Sequence, residues 1–332
     1  MGTVVWITRG LLVFQLLAAI TIAVFIAKLF DLSSIWIGLP VGFLAVLLVR
    51  MQITANNFLL ASRYQCRAPD EHCLSPLRMG KLFLEEFRST MTASSWTMPF
   101  HSFRKRIADS PSSLPVLLIH GYGCNSGFWH KMSKALADHS ITHYAIDLEP
   151  ILGGIDDYVS AAHDAIETIC QETGSTKLII VAHSMGGLVT RAYLREHGHC
   201  HVARVITLGT PHHGTGVAHF GVGMNCKQMQ WSHGAGPGVC SSWLRDLAAS
   251  ESENVYKLFT SIYSRHDNIV SPHNSPFLPG ATNIEFFGIG HVALGFNTQV
   301  QARVIKEIRK FPPEILQDTA FPARHASPRI CP

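Results

Sequence analysis

Between Val116 and Lys310, short apolar runs alternate with helical patterns. The runs are Val116–His120, Thr142–Leu148, Lys177–Ala182, Val202–Leu208, Lys257–Tyr263 and Asn283–Phe287. Helical stretches at Gly127–His139, Asp156–Thr173 and Met185–Glu196 separate them, and Thr298–Lys310 closes the series. A strand that is apolar throughout must have both faces covered, and parallel strands joined by crossover helices meet that demand. The pattern predicts an α/β architecture: a mostly parallel sheet of about six strands with helices on both faces. One connection is irregular. Residues 211–255 form a long stretch rich in Gly and Cys that holds Trp231 and Trp243, expected as a cap or flap inserted over the carboxyl edge of the sheet.

The third run leads directly into Ala182-His-Ser-Met-Gly-Gly187, and a helix pattern follows at once. Strand, sharp turn and helix in that order form the setting of a nucleophile elbow, where small residues two before and two after the serine let the backbone fold tightly. Ser184 then projects above the sheet at a helix amino end, whose free N–H groups favour an oxyanion. The bland reading of the same string is a serine capping a helix. A serine nucleophile needs an imidazole to take its proton and a carboxylate to orient that imidazole. Ser264-Arg-His-Asp-Asn-Ile-Val270 follows the fifth strand and Gly288-Ile-Gly-His-Val292 follows the sixth, so Asp267 and His291 stand where acid and base are required. Asp246 and Asp157 are alternative acids. In Val116-Leu-Leu-Ile-His-Gly-Tyr-Gly123 a glycine turn follows the first strand, which would aim the Tyr122 N–H, together with that of Met185, at a substrate carbonyl. His120 reads better as a lock on this loop than as a catalyst.

These motifs resemble the α/β-hydrolase superfamily, specifically its bacterial lipase and esterase branch, from about Pro115 to Lys310. Residues 116–123 resemble its oxyanion loop, and 182–187 its elbow with Ala in place of the usual first Gly. Leu208-Gly-Thr-Pro-His-His-Gly-Thr215 resembles the segment its lipases carry after the next strand. Asp267 and His291 match its acid and base by order and context. The resemblance implies ester hydrolysis through an acyl-enzyme, without a cofactor. Thioesterase, phospholipase and acyltransferase chemistry share that triad. A membrane-anchored module with no catalytic activity is the alternative of a different class. The N-terminal third departs from the secreted lipases.

In that third, residues 10–27 and 32–49 are each 18 residues without a charge. At 1.5 Å per residue such a helix is about 27 Å long, close to the roughly 30 Å hydrocarbon core of a bilayer. A transmembrane hairpin is expected over 1–50, with its turn at Asp31–Ser34 and its membrane contact through 11–49. A signal peptide explains the first segment alone, but it leaves the second without a reason. Residues 50–115 hold nine Lys/Arg against five acids, a net of +4. The positive-inside rule then predicts both termini, and the catalytic domain, on the cytoplasmic side of a bacterial inner membrane. A disulfide between Cys226 and Cys240 would argue for export instead. Residues 51–114 are expected as a basic, partly helical connector on the membrane surface or against the next domain, bounded by the Pro/Ser stretch 110–115. The Pro-rich tail 311–332 is expected to be loosely ordered.

Other functions have little support in the residues. Eight cysteines in 332 residues are too few for a disulfide scaffold, and no CxxC pair is present. His197-x-His-x-His201 and His212-His213 are the only metal-like patterns, and residues two apart on a helix face different directions. The Gly-rich pieces at 214–223 and 234–238 lack a Walker lysine, and there is no basic aromatic stripe for nucleic acid. The partner expected is a lipid or ester small molecule; no protein partner is inferred.

Overall fold

In the computed structural model, residues 2–31, 33–65, 74–233 and 239–313 are described. Two long helices open the chain, α1 (Thr3–Leu29) and α2 (Ile35–Ser62). Both are long and apolar enough to cross a membrane, and little of their surface is buried. They pack through small residues. A Cβ on Gly38 would lie 2.5 Å from the Ala23 carbonyl oxygen, and one on Gly42 would lie 2.1 Å from that of Ala19. Glycines four apart against alanines four apart are the close-approach pattern of helices in lipid. α1 ends at Leu29 and α2 begins at Ile35, on either side of the Asp31–Ser34 turn expected from the sequence.

The next helix, α3 (Pro76–Thr92), continues through a π turn at Ala93–Thr97 into a last turn at Met98–Phe100. Arg50 ties α2 to α1, donating to Gln15 at 3.0 Å, and to this turn, donating to Ser95 at 2.8 Å and to Ser94.

The sheet has seven strands: β1 (Lys105–Arg106), β2 (Val116–Ile119), β3 (His143–Ile146), β4 (Leu178–His183), β5 (Val202–Leu208), β6 (Phe259–Ser264) and β7 (Thr282–Phe286). Their order is β1-β3-β2-β4-β5-β6-β7, and only β1 runs antiparallel to its neighbour. The sequence suggested about six strands. The extra one is a charged two-residue edge, Lys105 and Arg106, which carries no apolar signal because both side chains are exposed. β2 and β4 are buried at every position, as continuous apolar runs require. Helix α4 (His130–Ala137), preceded by a 3-10 turn at Ser126–Trp129, and α8 (Thr298–Ile308) belong to one face. α5 (Val159–Thr173) and α6 (Met185–His197) cover the other, and α7 (Ser242–Ser250) lies in the insertion.

The stretch 110–115 is bonded into the domain: Leu114 N–H donates to Phe311 O, and Ser112 N–H to Ser140 O. The insertion 211–255 contains a 3-10 turn (Gly216–Phe220), a short helix (Met224–Gln228), a two-strand ribbon and α7. A buried ion pair between Arg191 on α6 and Glu251 fastens its far end. Cys226 and Cys240 are free thiols and are not paired with each other, while Cys200 is disulfide-bonded. Cys66, Cys73, residues 234–238 and most of the tail lie outside the described residues.

Candidate active site

Strand register decides which loops meet. Ile119 pairs with Ala182, His183 with Leu208, and Leu208 with Ile262. The loops after β2, β4, β5 and β6 therefore open at the same carboxyl edge, where ligands bind in open α/β sheets. Ser184 sits there with φ 55° and ψ −127°, a backbone conformation that side chains other than glycine rarely adopt. Neighbours leave room only for glycine: a Cβ on Gly186 would lie 2.5 Å from Ile119 O, and one on Gly121 would lie 2.7 Å from the Ser184 Cβ. Thr210 Oγ1 donates to Ser184 O at 2.9 Å and holds the turn from the β5 side.

His291 and Asp267 are joined, His291 Nδ1 donating to Asp267 Oδ2 at 2.8 Å. Asp267 is anchored through its other oxygen, which accepts the N–H groups of Ile269 and Val270, both at 2.8 Å. Burial disfavours the imidazolium of His291, yet the Asp267 charge and hydrogen bond, with a smaller contribution from Glu86, hold its pKa above the ordinary value. The alternative acids are elsewhere. Asp157 and Asp246 are exposed, and Asp157 accepts the N–H of Gly154.

Ser184, His291, Gly121 and Tyr122 line one cavity of about 230 Å³, together with Phe128, Ile269 and Val292. Thr90, Ala93, Ser94 and Met98 from α3 and its extension also line it. Met185 is the first residue of α6, where N–H groups have no intrahelical acceptor. The Tyr122 hydroxyl donates to Val222 O at 2.9 Å, which turns its ring along the flap. Leu152, Phe220, Val222 and Met224 leave apolar surface exposed beside it. Cys124 also lines the cavity, but burial pushes its thiol up to about 12, so it is no competing nucleophile.

Three contributors to the site were not read from the sequence. His183, inside the elbow, donates Nε2–H to His291 O at 3.1 Å, and burial keeps it neutral. Asn268 accepts the His291 N–H at 2.9 Å. Glu86, from α3, accepts the N–H groups of Val292 and Ala293. His120 stays a lock: it bonds Gly121 O through Nδ1, and its Nε2 accepts the Leu148 N–H. His212 and His213 are held by Thr207 and Ser275, and among the described residues no group of three or more His, Cys, Asp or Glu is arranged to hold a metal.

Comparison with known proteins follows the same line. Residues 115–219 match the family described as the α/β-hydrolase fold. Over 116 residues the chain is 30% identical to a triacylglycerol lipase of Pseudarthrobacter phenanthrenivorans, covering 32% of this chain and 35% of that protein. It is equally identical to a triacylglycerol lipase of Burkholderia plantarii, covering 32% of each. The chain thus spans about a third of the length of these curated relatives. A Bacillus licheniformis lipase in its mature form superimposes with a TM-score of 0.54 at 20% identity, covering 62% of this chain and 97% of that one.

Proposed function

We propose that this chain, a lipase- and esterase-like α/β hydrolase by fold and family match, is a membrane-anchored serine hydrolase that cleaves carboxylic esters of lipid-like molecules. The observation that carries the reading is that His291, hydrogen-bonded to Asp267, lines the same cavity as Ser184 in its strained turn. His291 Nδ1–H is engaged by Asp267, which leaves Nε2 unprotonated and able to take the proton of Ser184 as Oγ attacks the ester carbonyl. The negative oxygen of the tetrahedral intermediate is held by the N–H groups of Met185 and Tyr122. His291 then returns the proton to the leaving alcohol, and water attacks the acyl-Ser184 by the reverse route.

A lipid-like acyl group is supported by the apolar cavity wall and by the exposed Leu152, Val222 and Met224 at its flap. Residues 11–49 would supply the membrane anchor, with the basic excess of 50–115 facing anionic lipid; the charge bias favours the cytoplasmic side, and among the described residues the disulfide at Cys200 is the one feature that points to the exported side. The proposed division is hairpin 1–50, connector 51–114 and catalytic domain 115–310, with α2 running on past the hairpin boundary to Ser62. Hydrolysis of p-nitrophenyl esters of increasing chain length tests the substrate class. Octanoyl or longer should be preferred, and a preference for acetyl would overturn the lipid assignment.

A further inference from the structure

We propose that Glu86 is a positioning residue for His291, so that α3, which lies outside the hydrolase core, completes the active site. This rests on the triad reading above. Glu86 is 1% exposed and approaches no Lys or Arg closely enough for an ion pair among the described residues. A buried carboxylate without a cation is costly unless hydrogen bonds replace its water. Here both oxygens are used: Oε1 accepts the Val292 N–H at 3.1 Å and Oε2 accepts the Ala293 N–H at 2.9 Å. Those are the first two amides of the 3-10 turn Val292–Gly295 that begins immediately after His291. The carboxylate thus satisfies amides that a helical turn leaves without partners.

The fit is specific to this carboxylate. A Cβ on Gly290 would lie 2.4 Å from Glu86 Oε2, so the residue before His291 must be glycine for the contact to exist. The preceding residue of α3, Glu85, accepts from Asn297 Nδ2 at 2.6 Å, so consecutive carboxylates hold both ends of 290–297. His291 itself is gripped by Asn268 at its N–H and by His183 at its carbonyl. Those two come from the core, whereas Glu86 alone comes from the N-terminal third. The same helix also supplies Thr90 to the cavity wall. One element therefore sets both the wall against the substrate and the main chain that carries the base.

An apolar side chain could pack this helix without a buried charge. Burial pushes the Glu86 carboxyl above the usual carboxylate range, while the N–H groups of Ala293 and Val292 and the nearby His291 favour its charged form; as a carboxylate it adds a second negative group beside an imidazole that becomes positive during the reaction. The charged or titratable groups facing His291 are Asp267 from the loop after β6, Glu86 from α3, and His183 at the end of β4.

The test uses the full chain in detergent with a p-nitrophenyl ester. In Glu86→Gln an amide NH2 must face a backbone N–H and the charge is gone. We expect kcat to fall on the order of 10- to 100-fold with KM little changed, the loss typical of a misplaced catalytic group. The acid limb of kcat/KM should move to lower pH by roughly half a unit or more, because removing a negative charge makes His291 easier to deprotonate. Leu82→Ala, in the same helix and 2% exposed, is the control for simple destabilisation and should leave the acid limb in place. Wild-type kcat and acid limb in Glu86→Gln, or equal kcat losses in both variants with no movement of the limb, would overturn the proposal. If Glu86→Gln does not fold, Glu86→Asp keeps the charge but shortens its reach: reduced kcat supports the proposal and wild-type kcat overturns it. Ser184→Ala is run alongside. Full activity there would refute the triad itself, a result distinct from any outcome at Glu86.

Discussion

Replacing Asp267 by Asn separates the charge of the acid from its shape. The side chain cannot simply flip to suit the histidine, because Oδ1 already accepts the Ile269 and Val270 N–H groups, both at 2.8 Å. Asn must therefore keep its oxygen on those amides and present its NH2 to His291. An NH2 donates to Nδ1, which forces the proton of the imidazole onto Nε2, the nitrogen that has to accept from Ser184. The protein would be folded but with His291 in the wrong tautomer. In serine hydrolases that defect lowers kcat about 10⁴-fold, equivalent to about 5 kcal/mol of barrier. The loop should stay in place, because both amide bonds survive. Asp267→Ala, in contrast, strands two buried amides at roughly 1–3 kcal/mol each, and should lower Tm as well as rate. The assay is steady-state ester hydrolysis with thermal unfolding on the same samples. Asp267→Asn with more than a tenth of wild-type kcat, at unchanged Tm, would refute this account of the acid.

Further consequences follow from other contacts. The proposed mechanism needs neutral His291, whose pKa is held above the ordinary value of 6.5 mainly by Asp267; activity should thus be lost as pH falls, with a midpoint above that value in a kcat/KM profile. Arg191→Met leaves the Glu251 carboxylate, 2% exposed, buried without its partner, and should cost about 3–5 kcal/mol in denaturant unfolding; adding Glu251→Leu should recover most of that loss. Gly42→Leu would place a side chain where even a Cβ lies 2.1 Å from Ala19 O. Separation of α1 from α2 should then be read as faster proteolysis of the hairpin in micelles, and unchanged resistance would contradict the packing described.

The part of the fold that was legible is the part whose signal is local. β2 and β4 announce themselves because both faces are buried, so every residue is apolar. The elbow is legible because its strand, serine and glycines are contiguous, and Asp267 and His291 follow from their order after later strands. The π turn at Ala93–Thr97 and the edge strand β1 left no pattern to read. Glu86 was not legible for a physical reason. Beside Glu85 on an amphipathic helix it resembles an ordinary solvated carboxylate, and its partners lie 206 and 207 residues away in the chain. His183 and Asn268 were hidden in the same way, since each acts through a main-chain atom of His291 that no local spacing reveals.

The central claim is that Ser184 is an activated nucleophile, and covalent labelling of the full chain by a fluorophosphonate tests it most directly. The wild-type protein should be labelled, with the adduct mapped to the peptide containing Ser184 and with labelling abolished in Ser184→Ala. A folded wild-type protein that resists the probe, or a Ser184→Ala variant labelled to the same extent, would contradict it.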